Sequence, residues 1–516
     1  MFGLSALALL LLVFFVYLSR RKRFSLFKGL GIPGPTPSLI SGNITDIAKM
    51  GPVPMFEEWI GKYGNIVGFY NGATPVLLIK DLDLIKKIQI TDFSNFHDRG
   101  TLSVENQTHE VSRNNLVNAS GDHWRKMRRV LTSAFTPSKM QKLENLLNET
   151  CNEFMEELKF IEGQKKELEI TQVFQKLCLK MTVRSAFGDQ AVKKLSMNGV
   201  GMDVITKELY LYIESLSNGW ESLIFNCFPE LCFVWRCLQS LKRVFKKFPK
   251  ERVLDAMLPV INGRRLNPEK DQKDMLQLLL DAEAETPGHG KDGEVETNSK
   301  NKKLLNDSEV QANVFSALID GFETLPTAMA STAYLLAKHQ DVQERLRSKI
   351  KRALINDEAS AKDILKLEYL DQVISEALRI YPPLSGFISR TCKEDYDYNG
   401  LTIPAGISVI IPASSLHRDP ELWSEPKKFD PERFSSDNKG SLNPITYQAF
   451  GNGPRSCMGM RFGQTALKLA LGKILAKYKL HLDDRHLKED ELPLSNSLIF
   501  SAPRDGVWLK LEKVGN

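Results

Sequence analysis

Cysteine is scarce in this sequence. The 516 residues hold seven, at 151, 178, 227, 232, 237, 392 and 457. No two form a C-x-x-C pair, and none joins a histidine at zinc-finger spacing. A disulfide scaffold and a structural zinc module are therefore excluded, and a reducing compartment fits best. Strong charge of one sign is missing too. Sixty-nine basic residues against 63 acidic leave a net +6, without the basic stripes that nucleic-acid binding needs. Internal repeats are absent. Long apolar runs are absent after residue 19. The most apolar stretch of the body, Leu223–Leu238, is 16 residues long and holds Pro229 and charges, so it is a poor spanning helix. It is either core or a segment that dips into a membrane surface. What remains is a globular composition, 42% hydrophobic and 26% charged, sufficient for a large buried core.

The N-terminus is the exception. "MFGLSALALLLLVFFVYLS" is uncharged from Met1 to Ser19, and "RRKR" follows at Arg20–Arg23. As a helix it reaches about 28 Å, enough for a thin bilayer such as the endoplasmic reticulum. Basic residues on the C-terminal side leave that end cytoplasmic. A cleaved secretory peptide would carry its charges before the apolar run and a small-residue site after it, and neither is present. The sequence thus predicts a single-pass transmembrane signal anchor over 1–19. A basic, proline-rich hinge over 20–37 follows, with "GLGIPGPTP" as a stiff extended connector. The cytoplasmic body then runs over 38–516.

Helical spacing dominates that body. Leu143–Ile161 carries apolar residues three and four apart between acidic ones. The stretches 255–283, 308–338, 341–355 and 362–381 read alike. Short strand-like runs stand at Asn65–Tyr70, Pro75–Ile79, Tyr398–Pro412 and Gly506–Glu512. The expectation is a mainly α protein with small β-sheets towards both ends. Glu285–Ser308 is polar, contains glycine and lacks apolar periodicity, so it reads as a surface loop.

One cysteine stands apart. "FGNGPRSCMGM" (Phe450–Met460) sets Cys457 among Gly451, Gly453 and Gly459 and near Arg455, just before the apolar run Ala466–Tyr478. Thiolate is the reactive form and needs help to exist at neutral pH. Glycines let a backbone crowd close around something, and backbone N–H groups before a helix favour an anion. One thiolate in such a loop suits an axial metal ligand; a buried structural cysteine is the alternative.

The pattern F-x-x-G-x-R-x-C-x-G at Phe450, Gly453, Arg455, Cys457 and Gly459 resembles the haem-binding signature of the cytochrome P-450 family. The resemblance runs the length of the chain and implies the family's fold, a helical prism with small β-sheets. It also implies haem b, with Cys457 as the axial thiolate that favours O–O cleavage. "EALR" supplies Glu376 and Arg379, and "PERF" supplies Arg433, the family's buried charged network. "WRKMR" gives Trp124 and Arg128. These, with Arg390 and Arg455, would hold the haem propionates, and Arg99 is a further candidate. In "DGFETLP", Gly321 would open a groove, and Glu323 and Thr324 would form an acid–alcohol pair delivering protons to the oxygen under reduction. Pro326 would kink that helix.

Asp320 departs from the pattern, because the family usually has alanine or glycine there. A carboxylate in an apolar pocket is expensive unless paired. It could hydrogen-bond substrate or water, esterify a haem methyl as glutamate does in one branch of the family, or point away. Arg125, Lys126, Arg129 and Lys473 could form a basic face for an NADPH-dependent flavoprotein reductase, with cytochrome b5 a second candidate partner. The implied function is a membrane-anchored monooxygenase acting on an apolar small molecule, with membrane lipid as a partner and no nucleic acid. Alternatives are a haem-thiolate isomerase or dehydratase that does not use O2, and a non-catalytic tethered haem protein. The resemblance locates specificity in 97–120, 205–240, 384–388 and 497–502.

Overall fold

A computed structural model describes residues 14–514, apart from 101–109, 165–166, 198–200, scattered positions between 219 and 246, 269–273, 284–303, 354–359 and 496. The helices that build the interior are α1 (Gly121–Thr132), α2 (Pro137–Gln164), α3 (Ile170–Phe187), α4 (Met202–Asn218) and α5 (Pro249–Leu266). They continue with α6 (Asp307–Lys338), α7 (Gln340–Ala353), α8 (Glu368–Ile380) and α9 (Met460–Lys477).

The axis of the molecule is α6. A reciprocal cap starts it: the Asn306 side chain accepts from the Glu309 N–H at 3.0 Å, and the Glu309 carboxylate accepts from the Asn306 N–H at 2.8 Å. From Val310 to Ala337 it is buried on nearly every side, which is why the sequence there is apolar without a clean polar stripe. One core joins it to α2, α3, α8 and α9, and a second joins it to α1, α3, α4 and α5. The helix continues through Pro326 without interruption.

Among the described residues three small sheets flank the helices. β1 (Ile66–Asn71) and β2 (Thr74–Ile79) form an antiparallel hairpin with Phe69 opposite Val76. β3 (Leu168–Glu169) belongs to a second sheet. β4 (Ser389–Thr391), the pair β5 (Tyr396–Tyr398) and β6 (Leu401–Ile403), and β7 (Ser408–Ile410) follow the α8 region. β7 lies parallel to β2 and antiparallel to β4, giving the order β1-β2-β7-β4. β8 (Tyr478–Leu482) and β9 (Trp508–Lys513) complete the order β3-β9-β8. The mainly helical fold with small sheets agrees with the expectation.

The differences have local causes. The helical pattern at 255–283 divides because α5 ends at Leu266, before Asn267-Pro268, and Asp274 caps a new helix, Met275–Asp281. The pattern at 362–381 divides into Ala361–Leu365 and α8. In the Leu223–Leu238 segment the core reading holds in part. Asn226 and Cys227 are buried against the β1–β2 turn, where the Ala73 N–H donates to the Asn226 carbonyl at 2.7 Å. Phe233 and Val234 are exposed. Arg20 ties the hinge to this segment, donating to the carbonyls of Ile40, at 2.8 Å, and Cys227. Residues 1–13 of the expected anchor, and 285–303 of the expected loop, lie outside the described residues. Among the described residues no helix is long and apolar enough to cross a membrane.

Candidate functional site

The cysteine loop is built by its glycines. Gly451 and Gly453 take positive φ values of 66° and 73°, a region other residues avoid. At Gly453 a side chain would also place its Cβ 1.9 Å from the Gln89 carbonyl oxygen. The Cys457 N–H donates to the Phe450 carbonyl at 2.8 Å and closes the loop. Its sulfur opens into an internal cavity of about 1010 Å³, lined also by Phe450 and Gly459. Burial pushes the Cys457 thiol up, while the Gly459 N–H, Arg128 and Arg99 pull it back and Asp320 opposes them. Burial therefore outweighs the donors expected at this helix start. A bound metal, which deprotonates a coordinating thiol outright, would supply the missing help.

Beside the sulfur sits a group of arginines on the same cavity wall: Arg99, Arg128, Arg390 and Arg455. The Arg128 guanidinium donates to the Ser456 carbonyl at 2.9 Å. Arg455 donates to His97 and Ala119 carbonyls at 2.8 and 2.7 Å and lies 4.3 Å above the Trp124 ring. Arg390, held mid-strand on β4, donates to the Ser389 carbonyl at 2.7 Å. Arg99 donates to the Phe387 carbonyl at 2.8 Å. Burial pushes Arg99 down to about 10 and Arg455 to about 9, and neighbouring arginines lower Arg455 and Arg390 further. The buried Nε atoms of Arg99 and Arg390 have no hydrogen-bond partner. Among the described residues, the carboxylate that meets the cluster is Asp98, 3.7 Å from Arg455. Crowded cations with unspent donors fit a dianion, which is the chemistry of two haem propionates. A single thiol beside them fits the haem iron.

α6 forms another part of the wall through Ser316, Asp320, Gly321 and Thr324. The Thr324 hydroxyl donates to the Asp320 carbonyl at 2.7 Å. The Asp320 carboxylate faces the cavity, which removes the reading in which it points away. Burial raises it to about 6, with a 3.4 Å bond from Ser316 and the charge of Arg99 pulling back. Glu323 does not line the cavity. It is buried within the helix packing, and burial raises its carboxyl to about 7. Gly321 lines the cavity, but its missing side chain serves α3. A Cβ there would lie 2.0 Å from the Thr182 hydroxyl. The expected groove is thus also a packing requirement.

Behind the loop, Glu376 binds Arg379 through Nε at 2.7 Å and Nη2 at 2.8 Å, and Arg433 at 3.2 Å. Sequence reasoning missed the next partner, His417. It donates from Nδ1 to the Arg379 carbonyl at 3.0 Å and accepts at Nε2 from the Gln448 N–H at 2.7 Å. It is therefore neutral and joins α8 to the chain two residues before Phe450. Nothing local in L-H-R-D-P marks it, because both partners are backbone atoms distant in sequence.

The four residues expected to form a basic face are exposed except Lys473. Lys126 and Arg129 are exposed, Arg125 is paired with Asp122 at 2.7 Å, and Lys473 is half-buried near the buried thiol of Cys151. The segments expected to set specificity do reach the cavity, through Asn115, Tyr212, Leu384, Phe387, Ile499 and Phe500.

Comparison with known proteins agrees with this site. The family model described as Cytochrome P450 matches residues 32–507. Lithocholate 6-beta-hydroxylase of Mesocricetus auratus is 30% identical over 505 residues, covering 94% of this chain and 92% of its own. Cytochrome P450 3A12 of Canis lupus familiaris is 32% identical over 519 residues, covering 99% and 96%. Cytochrome P450 3A5 of Homo sapiens is 31% identical over 493 residues, covering 93% and 90%. With a family match over nearly the whole body and relatives aligned end to end, the chain belongs to the cytochrome P450 family and is a haem-thiolate monooxygenase.

Proposed function

We propose that Cys457 is the axial ligand of haem b and that Trp124, Arg128, Arg390 and Arg455, with Arg99, hold its propionates. Phe450 and Gly459 would shape the loop around the sulfur. When bound, the haem supplies the reductive activation of O2. Thr324 presents a hydroxyl to the cavity and already donates to the Asp320 carbonyl, so it can hold a proton donor at the reacting oxygen. Glu323, near-neutral in its acidity and just behind the wall, would exchange protons with Thr324 through water. The apolar side chains of Leu116, Phe315, Ile319, Phe387, Ile499 and Phe500 would bind an apolar organic substrate and exclude bulk water.

Electrons would come from NADPH through a flavoprotein reductase docking on the side of Lys126 and Arg129, with cytochrome b5 as a second donor. The chain would be a single-pass protein of the endoplasmic reticulum membrane, with its anchor at 1–19, hinge at 20–37 and cytoplasmic catalytic domain at 38–516. The uncharged N-terminal run supports this, as do the exposed Leu39, Ile40, Phe233 and Val234, which would meet lipid. The observation that carries the site is Cys457 opening into one cavity with four crowded arginines. Reduced protein under carbon monoxide should show the strongly red-shifted Soret band of thiolate ligation, lost in Cys457→Ala. A band at the shorter wavelength of histidine-type haem would refute Cys457 as ligand.

A further inference from the structure

Among the described residues three carboxylates line the cavity: Asp189, Asp274 and Asp320. Two are already committed. Asp189 pairs with Arg184 at 2.5 Å, and Asp274 with Arg264 at 2.9 Å. Asp320 is different. Its side-chain contact is the hydroxyl of Ser316 at 3.4 Å, and no cation pairs with it among the described residues. The charge that bears on it most is Arg99, whose guanidinium is turned to the Phe387 carbonyl, 2.8 Å away, and stacks on the Phe387 ring. Arg99 also belongs to the cluster that two propionates would neutralise. Phe315, Ile319, Leu325, Ala328 and Phe500 line the same cavity.

A carboxylate in such a setting is costly unless something pairs with it. Among the described residues no cation does so, and Asp320 sits one helical turn from Thr324 on the same face. We propose that Asp320 is a specificity-determining residue that recognises a cationic nitrogen, so that the substrates are lipophilic molecules carrying one positive charge, such as protonated or quaternary amines. This rests on the monooxygenase reading and names its substrate class. An ion pair inside a low-dielectric cavity is stronger than one in water. A neutral or anionic ligand leaves the carboxylate stranded, which adds discrimination against it.

The test is equilibrium dialysis of full-length holoprotein at about pH 8, with haem loading verified by the carbon monoxide band. The cationic probe is (4-phenylbutyl)trimethylammonium, whose nitrogen cannot ligate iron. The anionic probe is 5-phenylpentanoate, with the same tail, and the neutral one is (5,5-dimethylhexyl)benzene. Wild type should bind the cation at least about tenfold more tightly than the anion. Asp320→Asn should weaken the cation about tenfold or more and leave the neutral probe bound as tightly as before or more tightly. Equal affinity of wild type for cation and anion overturns the proposal without any variant. So does an Asp320→Asn protein that weakens cation and neutral probe alike. Covalent attachment of Asp320 to haem would also erase the cation preference and refute it. A protein that takes up no haem refutes the parent reading instead.

Discussion

At Glu376 one carboxylate carries the charge of two arginines. It accepts from Arg379 twice, from Arg433 and from the Asp430 N–H at 3.1 Å, and both Glu376 and Arg379 are fully buried. Glu376→Gln keeps the volume and removes the charge. It leaves the buried Arg379 guanidinium facing that of the half-buried Arg433, and should cost about 3–5 kcal/mol in a denaturant titration. A change within ~1 kcal/mol would show that the network is not a structural support. This trio was legible in the sequence, because three residues apart on a helix means one face and the resemblance supplied the distant Arg433. His417 was not legible, since its role is defined by backbone atoms brought in by tertiary folding.

On α6 the helical period sorts the residues. Positions 320 and 324 are four apart and share a face, whereas 323 lies about 100° away from 324. That is why Asp320 and Thr324 reach the cavity while Glu323 packs behind them. The period was available in the sequence, but which face meets the cavity was decided by α3 and the cysteine loop. Gly321 exposes the constraint. Gly321→Ala forces a methyl against Thr182 and should destabilise the protein by ~1–3 kcal/mol. Adding Thr182→Ala removes the hydroxyl that clashes and should restore part of the loss, a coupling readable in a double-mutant cycle. Strict additivity of the two substitutions would place the cost elsewhere.

For the molecule as a whole, two buried groups shape the pH dependence of stability in opposite senses. Glu323 is raised from 4.5 to about 7. Between those values the folded state holds a proton that the unfolded state has released, so stability falls as pH rises through the window. Glu323→Gln should flatten that decline. His417 is lowered from 6.5 to about 3. Below 6.5 the unfolded state takes a proton that the folded state refuses, so stability falls as pH drops towards 3. His417→Gln should remove that part of the acid loss, whatever it costs at neutral pH. Each effect is at most on the order of 3–5 kcal/mol. Unchanged slopes in thermal unfolding between pH 4 and 8 would refute both assignments. Electron delivery is also a whole-surface property. Charge reversal at Lys126 and Arg129 should lower reductase-supported turnover and its salt sensitivity while leaving the carbon monoxide band intact. Unaltered turnover would move the docking face elsewhere.

Local chemistry determined what the sequence could tell by itself. Glycines around Cys457, helical periods, the uncharged N-terminal run and the three-residue spacing of Glu376 and Arg379 are short-range patterns with short-range causes. They yielded a mainly helical protein with one cysteine set in a glycine-lined loop, and the family resemblance carried by that loop implied the haem and the residues around it. Tertiary structure decided what depends on distant neighbours. It made burial the dominant influence on the Cys457 thiol, placed Glu323 off the cavity wall, set Thr182 against Gly321 and joined His417 to α8. It also left Asp320 on the cavity wall with no paired cation among the described residues. Desolvation and packing are properties of assembled surfaces, and no window of adjacent residues contains them.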